Sequence, residues 1–202
     1  MGRRLHRATS IKKVLSITNL GYQIQFLTAH ICEPLIFSKK NEIILVNMPI
    51  KITYFVHGTT TDNEKHLSSG WADVELSELG KKQSLELKEQ TRDKSFDVVF
   101  CSDLKRAFES ARLTWSGIVP IVPDQRLREC NYGNYNSKPS STVEPMQENM
   151  IWDKFPNGES YEDVKIRVAD FLKFLKDNYA SKSVAIVAHK APQLALDILL
   201  KG

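Results

Sequence analysis

Cysteine is scarce in this sequence and widely spaced. Only three cysteines occur in 202 residues, at positions 32, 101 and 130, so none of them forms a CxxC pair or another zinc-binding spacing. An odd number of distant cysteines also gives no disulfide framework, which favours a reducing, cytoplasmic compartment. We interpret each cysteine as a small packing residue.

Long apolar runs, metal motifs and a strong charge imbalance are missing as well. No run approaches the roughly 18 apolar residues of a membrane-spanning helix, so we expect no membrane association. There is no H-E-x-x-H motif and no Cys/His cluster, which argues against a metal site. The net charge of +4 favours anionic partners without demanding nucleic acid. We expect no nucleic acid to bind. With no internal repeat, the chain is typical of one globular domain.

The first 47 residues differ in composition from the rest. Residues 1–32 contain five Lys or Arg and no Asp or Glu. A basic, serine-containing and acid-poor segment is also typical of a mitochondrial transit peptide, so that alternative location stays open. We expect residues 1–47 to be a disordered extension or an over-extended start, because Met48 directly precedes a strand-like run. An edge strand at 43–46 stays possible, and the domain is expected over residues 48–202.

From residue 50 onward, strand and helix patterns alternate. Strands are predicted at 50–56, 97–101, 118–122 and 184–188, the third interrupted by Pro120 and so an edge strand. Four helices are predicted, beginning after Ser77, after Ser102-Asp103, after Ser160 and near Pro192. The first contains Leu79, Leu85 and Leu87. The third has one apolar face, formed by Val164, Val168, Phe171, Leu172 and Leu175. This alternation predicts an α/β fold with three layers, in which helices cover both faces of a mostly parallel sheet.

Polar residues follow three of the predicted strands. His57 ends the first strand, Arg106 lies in the first turn after the second, and His189 ends the fourth, followed by Lys190. Since ligands of such sheets bind beyond the carboxyl ends of the strands, we expect these residues to converge. A guanidinium beside a helix N-terminus suits phosphate, and a neutral imidazole can attack phosphorus. A carboxylic acid is then needed to protonate the leaving oxygen, and the loop RLRECNYGNY offers Glu129.

Six segments in one order carry a resemblance to a known family. They are HGTTTDN, GWADVELSELGKKQ, FDVVFCSDLKRAFESA, LRECNYGNY, PNGESYEDV and VAIVAH, and they span essentially residues 50–192. The chain resembles the histidine phosphatase, or phosphoglycerate mutase-like, superfamily. The resemblance implies that His57 becomes phosphorylated, that Arg106 and His189 hold the phosphoryl group, and that Glu129 is the general acid. It also implies that Gly58, Thr60 and Asn63 line the substrate pocket, and that neither a metal nor another cofactor is needed.

The sequence departs from the family pattern in three places. Val56 stands where the family has an arginine before the nucleophile, which removes one charged contact to phosphate. Lys190 stands where the family usually has glycine, and our hypothesis is that it binds substrate and partly replaces that charge, as a point charge rather than a fork. The chain ends at LKG, one helix after His189, where family members generally continue, so a truncated C-terminus stays open.

Several alternatives compete with this interpretation. Taken singly, His57 and His189 are more often core histidines than catalytic ones; Glu159 is a rival acid to Glu129. Arg126 and Arg128 are candidates for binding a second anionic group of the substrate. The 132 positions between the two histidines resemble the small phosphatase branch, which includes sugar-phosphate and nucleotide-loop phosphatases. A phosphate-binding pseudoenzyme and a phosphoglycerate mutase remain the alternatives, and the oligomeric state is unknown.

Overall fold

The computed structural model describes residues 27–31, 34–39, 42–47 and 50–201, with side chains described over residues 50–200. The strands are β1 (Leu27–Ile31), β2 (Pro34–Lys39), β3 (Glu42–Asn47), β4 (Ile50–Val56), β5 (Leu67–Ser68), β6 (Val98–Cys101), β7 (Ile121–Pro123), β8 (Lys138–Pro139) and β9 (Ser183–Ala188). The helices are α1 (Thr61–Glu64), α2 (Glu78–Gln90), α3 (Lys105–Trp115), α4 (Ser140–Val143), α5 (Tyr161–Asn178) and α6 (Lys190–Lys201). Short 3₁₀ turns lie at Gln125–Leu127, Gly133–Tyr135, Glu144–Met146 and Asn149–Ile151.

A five-stranded sheet in the order β1-β4-β9-β6-β7 forms the centre of the fold. β4, β9, β6 and β7 run parallel to one another, and β1 pairs antiparallel with β4. Residues 184–188 of the central strand β9 are all buried, as expected for a continuous apolar strand covered on both faces. The predicted mostly parallel α/β sheet is confirmed.

Helices pack on both faces of this sheet and give the predicted three layers. On one face, Leu87 of α2 and Trp115 of α3 join a core with Phe55 and Val187. On the other face, Phe171 of α5 and Leu196 of α6 join a core that contains the alternate strand residues. The two sets of strand residues differ because side chains of a strand point alternately to opposite faces.

Helix α5 follows the sequence prediction closely. Its five predicted apolar residues are buried, namely Val164, Val168, Phe171, Leu172 and Leu175. Ser160 caps the helix, since its hydroxyl accepts the backbone N–H of Asp163 while the Asp163 carboxylate accepts the N–H of Ser160. This reciprocal pair is the capping box that the sequence indicates.

Helix α2 buries a different face from the one its leucines indicate. Leu79 and Leu85 are 50% and 51% exposed, and only Leu87 of the three leucines is buried. The buried face is formed with Gly80 and Ser84, which are small enough to let the helix approach neighbouring backbone. A Cβ atom at Gly80 would lie 2.0 Å from the Thr59 carbonyl oxygen, so the close approach to that loop requires glycine.

The start of α3 is also capped differently from the prediction. Leu104 is the N-cap residue and makes no side-chain cap bond, although Ser102 accepts its N–H. The N–H of Lys105 donates instead to the carboxylate of Asp73, at 2.8 Å. A residue far away in sequence therefore satisfies this helix start, which a local pattern does not reveal.

The N-terminal segment contributes strands within its described ranges. β1 forms an edge of the central sheet, which differs from the expectation that residues 1–47 lie outside the fold. The strand expected at 43–46 is β3, but it pairs with β2 in a separate two-stranded ribbon. The extension at residues 1–26, and the expected start at Met48, lie outside the described residues.

None of the described helices combines the length and the apolar character needed to cross a membrane.

Candidate active site

Three predicted residues meet at one edge of the sheet. β4 ends directly before His57, β9 ends directly before His189, and Arg106 is the second residue of α3, which follows β6. The Arg106 Nε atom lies 3.3 Å from Nε2 of His57, and the ring centroids of the two histidines are 4.9 Å apart. All three lie beyond the carboxyl ends of parallel strands, where open α/β sheets bind ligands.

The first ring nitrogen of His57 is engaged by its own chain. Nδ1 lies 2.7 Å from the carbonyl oxygen of Gly58. Because a carbonyl oxygen only accepts hydrogen bonds, Nδ1 carries the proton and donates it. The lone pair of the neutral ring then lies on Nε2, where it accepts the Nε–H of Arg106 at 3.3 Å. This arrangement suits attack on an electrophile that the guanidinium binds.

The surroundings of both rings favour the neutral form. Desolvation and the charge of Arg106 lower the pKa of His57 to about 3; the hydrogen bond to Gly58 opposes this shift, and Lys190 adds to it. Desolvation and Arg106 also lower the pKa of His189 well below its ordinary value. Both rings are therefore uncharged at neutral pH, which is the nucleophilic state of an imidazole.

Arg106 is a buried cation that backbone carbonyls hold in place. Its side chain is 2% exposed, Nη1 donates to the Ala72 carbonyl at 3.0 Å, and Nη2 donates to the Gly70 carbonyl at 2.7 Å. Burial lowers its pKa, yet an arginine stays charged at neutral pH. Because carbonyl dipoles orient the group without neutralising it, its positive charge remains available to an anion.

His189 is fully buried and its ring is held by packing. Neither Nδ1 nor Nε2 has a hydrogen-bond partner among the described residues. Buried polar atoms without partners are rare in proteins, and each needs an explanation such as a catalytic role or a bound water or ion. The backbone of His189 is bonded on both sides by one hydroxyl, since Tyr54 donates to its carbonyl at 2.7 Å and accepts its N–H at 3.1 Å.

The structure places Glu129 next to the chain segment that follows His189. Its Oε1 atom accepts the N–H of Cys130 at 2.8 Å and the N–H of Ala191, in the first turn of α6, at 3.1 Å. The Glu129 carbonyl is held by Trp71 Nε1 and by Arg167 Nη2, at 2.7 and 2.8 Å. Both backbone donors contact the same carboxylate oxygen, so the Glu129 side chain is fixed beside the junction of β9 and α6.

The sequence over this fold matches a family model. Residues 54–200 match the model of the histidine phosphatase superfamily (branch 1), which includes every residue placed at the site above. The chain belongs to the histidine phosphatase superfamily. The predicted family and the predicted enzyme class are thereby confirmed.

Relatives and solved structures agree with this family. This histidine phosphatase is 31% identical to the uncharacterized phosphatase PhoE of Bacillus subtilis, over 72% of this chain and 75% of that protein. It is 30% identical to the 2,3-bisphosphoglycerate-dependent phosphoglycerate mutase of Lachnoclostridium phytofermentans, over 69% and 73%. The solved alpha-ribazole phosphatase of Shigella flexneri superimposes with a TM-score of 0.64 at 29% identity, covering 73% of this chain and 78% of that one.

Glu159, the rival acid, is engaged elsewhere in this histidine phosphatase. Its Oε1 atom accepts from Arg167 Nε at 3.0 Å, and its Oε2 atom accepts from Arg167 Nη2 at 3.1 Å and from the N–H of Asn131 at 2.9 Å. Arg167 in turn donates to the Arg126 and Glu129 carbonyls. This ion pair holds the loop that carries Glu129, and both carboxylate oxygens of Glu159 are occupied by these contacts.

Arg126 and Arg128 are both paired with carboxylates. Arg126 binds Asp124 and Asp170, and Arg128 makes a fork contact with Asp103 at 2.7 and 2.6 Å. Their charges are therefore largely compensated within the protein. This pairing disfavours the hypothesis that they bind a second anionic group of a substrate.

The small polar residues after His57 serve local structure. Thr60 is 0% exposed, its hydroxyl accepts the N–H of Asn63, and its own N–H donates to the Asn63 side-chain oxygen. This capping box engages two residues that the family resemblance places in the substrate pocket. A Cβ atom at Gly58 would lie 2.5 Å from the Gly80 carbonyl oxygen, so a glycine there permits the close approach of α2.

Val56 and Lys190 occupy the two positions that depart from the family pattern. Val56 is partly buried and packs against the core on the face of α5 and α6. Lys190 is exposed and is the first residue of α6, next to His189. Its charge contributes to the lowered pKa of His57, so Lys190 lies close enough to act electrostatically at the site.

Residues that support the site were not singled out by the sequence. Tyr54 has the pattern of an ordinary strand residue, and the sequence around Trp71 indicates only a packing residue of a loop. The sequence analysis does not include Arg167. A signal for it exists, since Arg167 lies next to Val164 and Val168 on the apolar face of α5. An arginine beside a buried stripe is unusual and indicates a specific buried partner. Among the described side chains, no group of three or more His, Cys, Asp and Glu could hold a metal ion.

The neutral histidines should make stability depend on pH. The pKa of His57 falls from an ordinary value of 6.5 to about 3 on folding, so between these values the unfolded chain binds more protons than the folded chain. The free energy of unfolding is therefore expected to be highest above about pH 6.5 and to decrease as the pH falls toward about 3. Chemical denaturation at several pH values in this window measures it.

A comparison of variants isolates the histidine contribution from that of the carboxylates. His57→Asn should lose less stability than the wild type over the same pH window, whereas His66→Asn, at an exposed position, should follow the wild type. Identical pH profiles for His57→Asn and the wild type would contradict this account.

Proposed function

We propose that this chain is a metal-independent phosphomonoesterase that acts on small phosphorylated metabolites through a phosphohistidine at His57. The observation that carries the proposal is the Nε2 lone pair of a neutral His57 beside the carbonyl-anchored guanidinium of Arg106. An anionic phosphoryl group bound by Arg106 lies within reach of that lone pair. The unpartnered ring nitrogens of His189 offer further contacts to its oxygens.

The first step transfers the phosphoryl group to the enzyme. The Nε2 lone pair forms a bond to phosphorus while the bond from phosphorus to the ester oxygen breaks. Glu129 gives its proton to the departing oxygen, so the product leaves as a neutral alcohol. The Nδ1–H of His57 keeps its hydrogen bond to the Gly58 carbonyl, which stabilises the positive charge of the phosphorylated ring.

The second step returns the enzyme to its starting state. The Glu129 carboxylate takes a proton from water as the water oxygen bonds to phosphorus. The bond between phosphorus and Nε2 then breaks, which releases inorganic phosphate and leaves a neutral His57 and a protonated Glu129. One residue serves as acid and then as base, so no outside proton donor is required.

The proposed substrates are phosphate monoesters of the sugar-phosphate or nucleotide-loop type. The similarity to the alpha-ribazole phosphatase of Shigella flexneri supports this class. The compensated charges of Arg126 and Arg128 favour a leaving group that carries no second anion at their positions. The cytoplasm as its compartment, with the mitochondrion as the alternative, stays a prediction.

Hydrolysis of para-nitrophenyl phosphate by the full chain tests this function. We expect phosphate release that persists after treatment with a strong chelator, because no step above uses a metal. Activity lost on chelation and restored by one added metal ion would overturn metal independence. No turnover in a folded sample would overturn the phosphatase proposal.

A phosphate-binding pseudoenzyme is the second candidate, and Val56 is the observation that favours it. Loss of one charge-assisted contact to phosphate costs about 1.5–3 kcal/mol, which corresponds to about a tenfold to hundredfold loss of rate. The retained acid Glu129 argues against a pure binder, because binding alone needs no proton for a leaving group. A folded sample that binds vanadate but releases no phosphate would identify this case.

A mutase is the third candidate, supported by the similarity to a phosphoglycerate mutase. A mutase returns the phosphoryl group to an alcohol and depends on a bisphosphate primer. Interconversion of phosphoglycerate isomers only in the presence of 2,3-bisphosphoglycerate would favour it over hydrolysis.

Lys190 is proposed to bind the substrate phosphate in place of the missing arginine. Since its side chain is exposed and screened, we expect Lys190→Ala to lower kcat/KM by about threefold to tenfold, mainly through a higher KM. The matched control is Lys182→Ala, an exposed lysine paired with Asp97 before β9. Steady-state kinetics at low and high salt measure the effect, and an unchanged KM would exclude Lys190 from the site.

A further inference from the structure

We propose that Tyr54 is a positioning residue of this site. Its hydroxyl holds the backbone turn that carries both the His189 ring and the Ala191 N–H, which donates to the Glu129 carboxylate. The inference rests on the proposed function, because it assigns a role to Tyr54 in the same reaction. Neither the family resemblance nor the strand pattern singles out this tyrosine.

The hydroxyl of Tyr54 makes two bonds to one residue. It donates to the His189 carbonyl at 2.7 Å and accepts the His189 N–H at 3.1 Å. Tyr54 pairs with Ile186 in the parallel ladder, so its side chain reaches along β9 to the point where that strand ends. A single side chain therefore satisfies both backbone groups at the junction of β9 and α6.

The His189 ring depends on its backbone for orientation. Many functional histidines are oriented by a hydrogen bond to the second ring nitrogen, but neither nitrogen of His189 has such a partner among the described residues. The ring is therefore placed by packing and by the position of its Cα atom. Among the side chains of β4, the Tyr54 hydroxyl is the group that restrains the position of the His189 backbone.

The same turn also positions the proposed acid. Ala191 lies two residues after His189, and its N–H donates to Glu129 Oε1 at 3.1 Å. A shift of the turn would move the ring and this donor together. Tyr54 thus couples the phosphoryl-binding histidine to the acid through one short backbone segment.

The environment of Tyr54 suits a permanent hydrogen-bond donor. The side chain is 0% exposed, and burial together with the negative charge of Glu129 raises the pKa of its hydroxyl well above the ordinary value. The hydroxyl therefore stays protonated wherever the enzyme is folded and active. It can donate to the carbonyl and accept the N–H at the same time.

Tyr54→Phe tests the proposal, because it removes the hydroxyl and keeps the ring in the core. The matched control is Tyr179→Phe, whose ring packs against Phe100 and Phe174 in the same core but whose position precedes β9. We expect Tyr54→Phe to lower kcat for an aryl phosphate by about tenfold to a hundredfold with KM changed less than about twofold. Tyr179→Phe should keep both constants near those of the wild type.

A second measurement does not depend on turnover. Nitrogen-15 spectra of the imidazole rings should show a shift or broadening of the His189 signals in Tyr54→Phe, with exposed His66 as the internal reference. Unchanged His189 signals would overturn the proposal, as would a fall in kcat that Tyr179→Phe shares. An inactive wild type would overturn the proposed function instead, and the spectra would still decide whether Tyr54 positions His189.

Discussion

Replacing His57 with alanine is expected to abolish phosphate release. In the proposed reaction the Nε2 atom of His57 bonds to phosphorus, and His57 is the histidine whose Nε2 contacts Arg106. Loss of a covalent nucleophile lowers kcat by at least about a thousandfold. Steady-state hydrolysis of para-nitrophenyl phosphate measures the loss, with thermal denaturation to establish that the variant is folded.

Two comparisons make this result specific to His57. His66→Ala removes an exposed histidine in the same loop region and should keep wild-type activity. The wild type, quenched during turnover, should carry a phosphoryl label that acid releases and base does not, as expected of a phosphorus–nitrogen bond. His57→Ala should carry no such label, and a variant that is still labelled and active would place the nucleophile elsewhere.

The central part of the fold could be predicted because its signals are local. The continuous apolar run of β9 and the regular apolar face of α5 both report burial directly through residue spacing. Alternating strands and helices then restrict the topology to a parallel sheet, which brings the strand ends together. This is why the sequence alone predicts that His57, Arg106 and His189 lie at the same edge of the sheet.

The parts that could not be predicted depend on contacts between distant residues. The face of α2 is set by the close approach of Gly80 to Thr59, which the leucine spacing does not encode. The start of α3 is satisfied by Asp73, and the junction after β9 by Tyr54. In each case a polar group from another segment completes the hydrogen bonding of a backbone end, so only the folded chain reveals the partner.

Val56 changes the balance of charge at the proposed phosphoryl site. With a valine before His57, the cationic contribution falls, in our proposal, to the buried Arg106 and to Lys190 on the first turn of α6. Arg106 is rigid, since two carbonyls hold it, whereas a lysine is a flexible point charge. The site is therefore expected to bind phosphate with less directional control than one with two arginine forks, and the precise placement of His189 and Glu129 becomes more important for the rate.

Replacing Glu129 with glutamine should have an effect that depends on the leaving group. The glutamine keeps a side-chain oxygen that can accept the N–H groups of Cys130 and Ala191, so the loop is expected to stay in place. It cannot donate the proton that an alkoxide leaving group needs. For an alkyl phosphate, kcat/KM is expected to fall by about a hundredfold to ten-thousandfold. For para-nitrophenyl phosphate, whose leaving group departs without a proton, the first step should be nearly unaffected.

Rapid mixing separates the two roles of Glu129. With para-nitrophenyl phosphate, the variant should release one equivalent of nitrophenol in a burst and then turn over slowly, because water attack on the phosphohistidine lacks its base. The control is Glu159→Gln, which removes the charge of a carboxylate that Arg167 binds and should lower the melting temperature without any preference among leaving groups. Equal losses of kcat/KM for alkyl and aryl phosphates in Glu129→Gln would show that another group protonates the leaving oxygen.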